Sequence, residues 1–183
     1  KIPFLSDDAV RKIVRGFVMF LGKKSLKIAV GHDCRVSAER IKAAVISALT
    51  DSGVDVVDCG LSSTPAMFMT TVELGCDAAI QLTASHHPWD KNGLKFFVNQ
   101  SGIDSAQLTQ ILKNAENASF ENCEKGNVEK CNFMPRYAEI LREIITKATG
   151  EEKPLLGLKI AVDAGNGVGG FYATEVLAKL GAD

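Results

Sequence analysis

Three short apolar runs, Lys27–Gly31, Val54–Val57 and Ala78–Thr83, are separated by stretches whose apolar residues recur at helical spacing. That alternation is the strongest constraint on the chain. A strand, a helix and a strand returning beside the first make a right-handed crossover, and repeating the unit makes a parallel sheet covered by helices. The expected fold class is therefore α/β, a mixed and mostly parallel sheet with helices on both faces. Ahead of the first run, Val10, Ile13, Val14, Phe17, Val18 and Leu21 share one helix face. Ser6 stands as its N-cap, with Asp7 and Asp8 in the first turn, where the helix dipole favours carboxylates. Ser37 is expected to cap a second helix with Ile41, Ala44, Val45, Ala48 and Leu49 on its apolar face, closed by Gly53 at C′. Thr64-Pro65 reads as an N-cap followed by proline at the first helical position, opening a helix that ends near Gly75.

A fourth apolar run, Leu94–Val98, follows a loop too short for a helical crossover, so it should return antiparallel at an edge. Asp104–Ala115 and Arg136–Ala148 read as further helices, and the polar stretch 117–132 between them as a solvated connection. Gly150–Pro154 has linker composition, which divides the chain into domains at 1–150 and 151–183. Leu26-Lys27-Ile28-Ala29-Val30 recurs as Leu158-Lys159-Ile160-Ala161-Val162. Each copy precedes a turn bearing Gly and Asp, a helical pattern and a glycine stop, Gly53 or Gly181. The repeat implies two related α/β domains in tandem, the second represented by its first strand and helix.

With 183 residues, 46% of them hydrophobic, the chain can bury one full core and begin another. Its 21 basic and 22 acidic residues provide no electrostatic footprint for nucleic acid. Charge interrupts the apolar stretches short of membrane-spanning length, so no membrane association is expected. No signal peptide is legible around Pro3, Ser6, Asp7 and Asp8. The five cysteines are odd in number and contain no C-x-x-C pair. A reducing compartment follows: cytoplasm, or an organelle such as a plastid if a transit peptide is removed. The chain opens without Met and stops just after a helical pattern, which reads as part of a longer protein.

The segment from Thr83 to Lys95 is unlike the rest. It holds two of the three histidines, His86 and His87, and the only tryptophan, Trp89. It begins at the C-terminal end of an expected parallel strand, where open α/β sheets place their ligand sites. Pro88 stops the strand and Asn92-Gly93 signals a turn, so Ser85 belongs on an exposed loop. A serine hydroxyl is a poor nucleophile unless a neighbour takes its proton or stabilises the charge of its product. His86 and His87 are candidate acceptors, and Lys91 and Lys95 can stabilise a phosphate dianion. Taken singly, each is also an ordinary surface residue: a turn serine, a loop histidine, a snorkelling lysine. Their concentration points to a phosphate-transfer or acyl-transfer site, and residue chemistry alone leaves both open.

Thr83-Ala84-Ser85-His86-His87-Pro88 with Asn92-Gly93-Leu94-Lys95 resembles the phosphoserine loop of the α-D-phosphohexomutases, the phosphomannomutase/phosphoglucomutase group. Gly31-His32-Asp33-Cys34-Arg35-Val36-Ser37 is similar to the family's Gly-x-Asp-x-Arg-x-Ser stretch. Gly60-Leu61-Ser62-Ser63-Thr64-Pro65 is similar to its Gly-x-x-x-Thr-Pro turn, and Val162–Gly167 to the opening of its second domain. The resemblance implies a first domain over 1–150 and the start of a second over 151–183. It makes Ser85 the phosphorylated serine, whose phosphate helps to hold Mg2+, and sets His86 beside the phosphoryl group. Lys95 would contact the reacting hydroxyl and serve acid–base catalysis. Asp33 and Arg35 would brace the loop, although a buried ion pair uses the same residues. Asn92 and Gly93 would shape the turn before Lys95. His87 stands where the family usually has Asn. The implied reaction interconverts hexose 1-phosphate and hexose 6-phosphate through a hexose 1,6-bisphosphate. The metal loop, the sugar-specificity loop and the phosphate-binding domain are expected beyond Asp183, in the remaining domains of the same chain. The partner is a small sugar phosphate, and a phosphoglucosamine is the alternative substrate.

Two readings from other classes stand beside this one. Gly165-Asn166-Gly167-Val168-Gly169-Gly170 formally matches the G-x-G-x-x-G turn of dinucleotide-binding domains. Asp163 would then place a carboxylate near the pyrophosphate. The third reading is a degenerate mutase-like module used for interaction, against which the intact set of Ser85, His86 and Lys95 argues.

Overall fold

The computed structural model describes residues 5–119 and 123–183. They divide into two compact units, 1–131 and 132–183. The first holds a six-stranded sheet with helices on both faces. In chain order its elements are α1 (Asp7–Leu21), β1 (Lys27–His32), α2 (Ala38–Thr50), β2 (Asp55–Leu61), α3 (Thr64–Glu73), β3 (Ala78–Leu82), β4 (Leu94–Val98), β5 (Ser101–Gly102), α4 (Ser105–Glu116) and β6 (Val128–Lys130). The strand order is β5-β4-β3-β1-β2-β6. β1 lies parallel to both β2 and β3, so the expected crossovers are present. β4 returns antiparallel to β3, and the two-residue β5 covers its outer side. The tight turn between them sets Asn99 at φ 51 and Gln100 at φ 60.

The main core lies on one sheet face. Ile28, Val30, Val56, Ala78, Ile80 and Phe96 meet Val10, Val14 and Phe17 of α1, Ile41, Val45 and Leu49 of α2, and Ile111 of α4. On the other face α3 buries Ala66 and Met67, and Phe68 meets Phe97 edge to face. No helix among the described residues is long and apolar enough to cross a membrane.

The helix ends follow local chemistry. Ser6 Oγ accepts from Ala9 N–H at 3.2 Å, as its capping role requires. Asp104 and Gln107 form a reciprocal capping box at α4. Gly53 N–H donates to Thr50 O and Val54 N–H to Leu49 O, the paired bonds that close a helix around a left-handed glycine. Two expected caps need correction. At α3 the capping oxygen is Ser63 Oγ, which accepts from Ala66 N–H, and Thr64 is already helical. Ser37 makes no cap bond, because its hydroxyl is committed to Asn92.

The solvated connection expected over 117–132 also differs, although residues 120–122 of it lie outside the described residues. Val128–Lys130 adds a parallel edge strand to β2. Asp55 accepts from both the backbone and side-chain amides of Asn127, Val56 N–H donates to Asn127 O, and Cys131 N–H donates to Asp58 O. All three residues of β6 are exposed. An edge strand held by backbone bonds alone has no apolar alternation from which to be read.

The second unit contains α5 (Met134–Thr149) and an irregular helix over 168–180 that mixes 3-10 and π turns. Its small core joins Ala138, Val176 and Leu180, with Leu141, Ile145, Leu155 and Phe171 against them. The linker-like Gly150–Pro154 lies inside this unit. The division at 1–150 and 151–183 therefore stands as a proposal from composition, with α5 packed on the later residues. Leu158–Val162, expected as a strand, joins no ladder among the described residues. It makes two sheet-type bonds, Ile160 N–H to Asp183 O at 2.8 Å and Asp183 N–H to Leu158 O at 2.9 Å. These hold Asp183 parallel beside Lys159. A ladder needs a neighbour along its length, and one residue supplies one bridge.

The tightest helix crossing is α1 on α4. A Cβ on Gly16 would stand 2.4 Å from Ile111 O and 2.7 Å from Ala115 N, both backbone atoms that cannot step aside. Gly16→Ala should therefore destabilise the chain by roughly 1–3 kcal/mol, despite alanine's better helix propensity. Urea unfolding should show a lower midpoint at unchanged slope. An unchanged or raised midpoint would mean that α4 moves away at little cost.

Candidate active site

The C-terminal ends of β1 and β3 lie side by side, joined by Asp33 N–H donating to Leu82 O at 3.0 Å. β1 leads into the turn 33–37, and β3 leads into the loop 83–93. Two bonds define where that loop leaves the sheet. Thr83 N–H donates to Gly93 O, extending the β3–β4 ladder by one rung. A side chain on Gly93 would put Cβ 2.7 Å from Thr83 O, so this close return requires glycine.

Ser85 adopts φ 54, a left-handed conformation that costs a non-glycine residue of order 1–3 kcal/mol. Both of its backbone polar groups are held. Its N–H donates to Thr83 Oγ1 at 3.0 Å, and its carbonyl accepts from Arg35 Nη2 at 2.9 Å. Arg35 does more than that. Nη2 also reaches His87 O at 3.0 Å, while Nη1 donates to Pro88 O at 2.6 Å and Lys91 O at 3.1 Å. Asp33 fixes the guanidinium from behind, accepting from Arg35 Nε at 3.0 Å and Arg35 N–H at 3.1 Å. The pair is well shielded, with the Arg35 side chain 10% exposed. One planar fork thus gathers four carbonyls of the loop. Ser37 Oγ adds a 2.5 Å bond to Asn92 Oδ1 at the far end.

The Ser85 hydroxyl itself is exposed and shares a 3.1 Å hydrogen bond with His86 Nδ1. It opens on a concavity of about 410 Å³ that Ser85, His87, Lys91, Asn92, Gly93 and Lys95 line together. Lys91 pairs with Asp90 at 3.1 Å. Lys95 sits on β4 opposite Gln81, and its ammonium has no hydrogen-bond or ion-pair partner among the described residues. The arrangement offers a positioned hydroxyl with an adjacent imidazole, and a lysine that lines the same concavity as the serine. Cys59 and Cys76 are not competing nucleophiles, since burial pushes their thiols up to about 12 and about 11.

Every site residue named from the sequence lies in or against this loop, whereas His86 turns to the Ser85 hydroxyl rather than lining the concavity. Thr83 and the Ser37–Asn92 tie are the parts sequence reasoning missed. Ser37 reads as a cap and as the end of the Gly-x-Asp-x-Arg-x-Ser stretch, and nothing in periodicity links it to a residue on a distant loop. In the glycine-rich turn, Asp163 Oδ1 accepts from Gly165 N–H at 2.9 Å. A carboxylate thus holds an amide of that turn, and no ladder strand precedes it, which lends the dinucleotide alternative no support.

The site is a braced serine loop at the C-terminal ends of the strands of an α/β domain, and comparison with known proteins gives it a family. Residues 1–122 match the profile of phosphoglucomutase/phosphomannomutase, alpha/beta/alpha domain I. The chain belongs to that family. It is 33% identical to a phosphomannomutase of Vibrio cholerae, over 94% of this chain and 37% of that protein. It is 35% identical to a phosphoglucosamine mutase of Alkaliphilus metalliredigens, over 93% of this chain and 38% of that protein. A crystal structure of a phosphoglucomutase/phosphomannomutase family protein from Burkholderia thailandensis superposes with a TM-score of 0.81 at 31% identity, covering 98% of this chain and 39% of that one. The chain thus spans less than half the length of these relatives.

The geometry makes the Arg35 fork testable without any assay of activity. Arg35→Lys keeps the charge but offers a point donor in place of a planar one, so most of the carbonyl bonds must go. Hydrogen exchange at the backbone amides of 85–91 should accelerate, and unfolding should shift by about 2 kcal/mol or more. Unchanged exchange there would show that the loop holds its shape without the fork.

Proposed function

We propose that Ser85 carries the phosphate in a phosphohexomutase that interconverts hexose 1-phosphate and hexose 6-phosphate. The observation that carries this reading is the exposed Ser85, held by its own backbone in one place on a concavity that it shares with Lys95, whose ammonium has no hydrogen-bond or ion-pair partner among the described residues. In this reading phosphorylated Ser85 donates its phosphoryl group to a free hydroxyl of the bound sugar phosphate. The hexose 1,6-bisphosphate then turns over and returns its other phosphate to Ser85, so phosphate is conserved through the cycle. Phosphoryl transfer depends on in-line positioning and charge neutralisation more than on covalent chemistry from the protein. The Arg35 fork supplies the first and Lys95 part of the second. The family resemblance assigns Lys95 the proton exchange with the reacting hydroxyl and sets His86 beside the phosphoryl group.

The family resemblance calls for Mg2+, which neutralises charge on a transferring phosphate. Among the described residues no group of three or more His, Cys, Asp or Glu side chains could hold a metal ion. The donors present therefore do not form a metal site by themselves. A phosphate oxygen on Ser85 is the one ligand assigned to this chain, and the others are proposed to come from the part of the relatives that it does not span. A phosphoglucosamine is the second substrate reading, favoured by the name of the Alkaliphilus relative.

Intact-mass measurement of the full-length protein after incubation with a hexose bisphosphate should show one added phosphate. Ser85→Ala should abolish both the label and the turnover. Lys95→Ala should accept the label yet lose at least about tenfold in kcat/KM, roughly 1.4 kcal/mol. Label retained by Ser85→Ala together with normal turnover would overturn the assignment.

The 183-residue chain alone should fold but not catalyse, because it spans 37% to 39% of the relatives' lengths. A coupled assay with Mg2+ and a bisphosphate activator should give no rate above background. Robust turnover would place the whole site within these residues.

A further inference from the structure

We infer that His32 is a positioning residue for the Ser85 loop, acting through the carbonyl of Asp33. The inference rests on the phosphohexomutase reading of that loop. His32 is the last residue of β1 and is only 7% exposed. Its Nδ1 lies 2.8 Å from Asp33 O. A carbonyl oxygen only accepts, so the hydrogen of this bond sits on Nδ1. On the other side of the ring Nε2 lies 3.2 Å from Glu39 Oε1. That carboxylate is also held by Lys42 at 3.1 Å, and Lys42 reaches Asp58 at 3.5 Å.

The two sides of the ring are unequal. The Glu39 side chain is 73% exposed, so its contact with Nε2 is screened by water and contributes little. The Nδ1 bond is shielded, and a shielded carbonyl that loses its donor is costly. The weight therefore falls on Nδ1–H. Asp33 shows what that bond secures. Its N–H is bonded to Leu82 O, its carboxylate takes two bonds from Arg35, and its carbonyl takes the one from His32. With all three in place, the peptide that leads toward Arg35 cannot rotate, and the fork starts from a fixed point. Without the His32 bond, the Asp33–Cys34 peptide is free to swing and the fork meets four carbonyls from a shifting base. His32 touches neither the Ser85 hydroxyl nor the concavity beside it, so its effect must pass through Asp33 and Arg35.

The two ring nitrogens can be replaced separately in the full-length protein. An asparagine amide takes the place of Nδ1–H, and a glutamine amide that of Nε2. His32→Gln should lower kcat by about tenfold while KM for the hexose phosphate stays within about twofold. Hydrogen exchange at the amides of 85–91 should accelerate in the same variant. His32→Asn should restore both kcat and slow exchange. A merely structural histidine would give two variants that lose unfolding stability alike, with no split in kcat. That result, or equal kcat in both variants, would overturn the inference. If Ser85→Ala retains full turnover, the phosphohexomutase reading fails. The exchange comparison then still decides His32: fast for Gln and slow for Asn supports it, and equal rates overturn it.

Discussion

The guanidinium of Arg35 is the interaction on which the site depends. Four loop carbonyls converge on it, and the loop they belong to includes a serine in a conformation that serine avoids. The balance can be judged from magnitudes. The left-handed backbone of Ser85 costs of order 1–3 kcal/mol. A hydrogen bond to a charged group is worth about 1.5–3 kcal/mol, and the fork makes four, of which Ser85 itself receives one. The Thr83 hydroxyl removes the remaining freedom by taking the Ser85 amide. The strain is thus carried by partners that would be left unsatisfied if the serine relaxed. Asp33 completes the device, because a guanidinium drawn only toward carbonyls would lack a charge partner in a shielded place.

That device needs the strand ends beneath it to be rigid, and the packing there explains how. Gly31 precedes His32 in β1, at the point where the register with β2 shifts. A Cβ at Gly31 would stand 2.1 Å from Ser62 Oγ and 2.5 Å from Met67 Sδ. The missing side chain lets the turn after β2 and the start of α3 close onto β1. Gln81 uses the same space. Its buried amide donates to Ser62 O at 2.9 Å, and its oxygen accepts from Ser62 Oγ at 3.2 Å. Among the described residues no buried side-chain polar atom lacks a partner. β1, β2 and β3 therefore end in one satisfied polar knot, and the bracket of Asp33 and Arg35 rises from it.

Much of this is legible in the sequence, and the reasons separate cleanly. The strand–helix alternation, the return of Leu94–Val98 and the closure at Gly53 follow from local sequence, because apolar period, loop length and a glycine encode them directly. Ser85, His86 and Lys95 stand out by residue chemistry in the loop segment, the family resemblance adds Asp33, Arg35, Asn92 and Gly93, and the fold brings them to one place. What escaped has a common cause. β6 is bound through backbone groups, which are the same in every residue. The hydroxyl of Ser37 serves Asn92 across a long stretch of chain, while the local pattern allowed only a cap. The role of His32 was hidden for the same reason, since its meaning lies in which atom it faces. The shift of the α3 cap from Thr64 to Ser63 is smaller: two neighbouring hydroxyl residues compete for one position, and sequence alone does not rank them.

Ser85 and Lys95 are brought to one concavity by different parts of the sheet. Lys95 stands opposite Gln81 in the antiparallel ladder, and the rung from Thr83 to Gly93 closes the loop just above it. The lysine is therefore set by strand register, and the serine by the fork of Arg35, through two independent constraints that share β3. A phosphate on Ser85 would add nearly two negative charges beside an ammonium that has no other partner among the described residues. The loop tip carries Trp89, which is 75% exposed, and Asp90 with Lys91 as its own ion pair. The chain thus holds the serine and the lysine through separate backbone constraints, the loop carbonyls gathered by Arg35 and the ladder of β3 with β4.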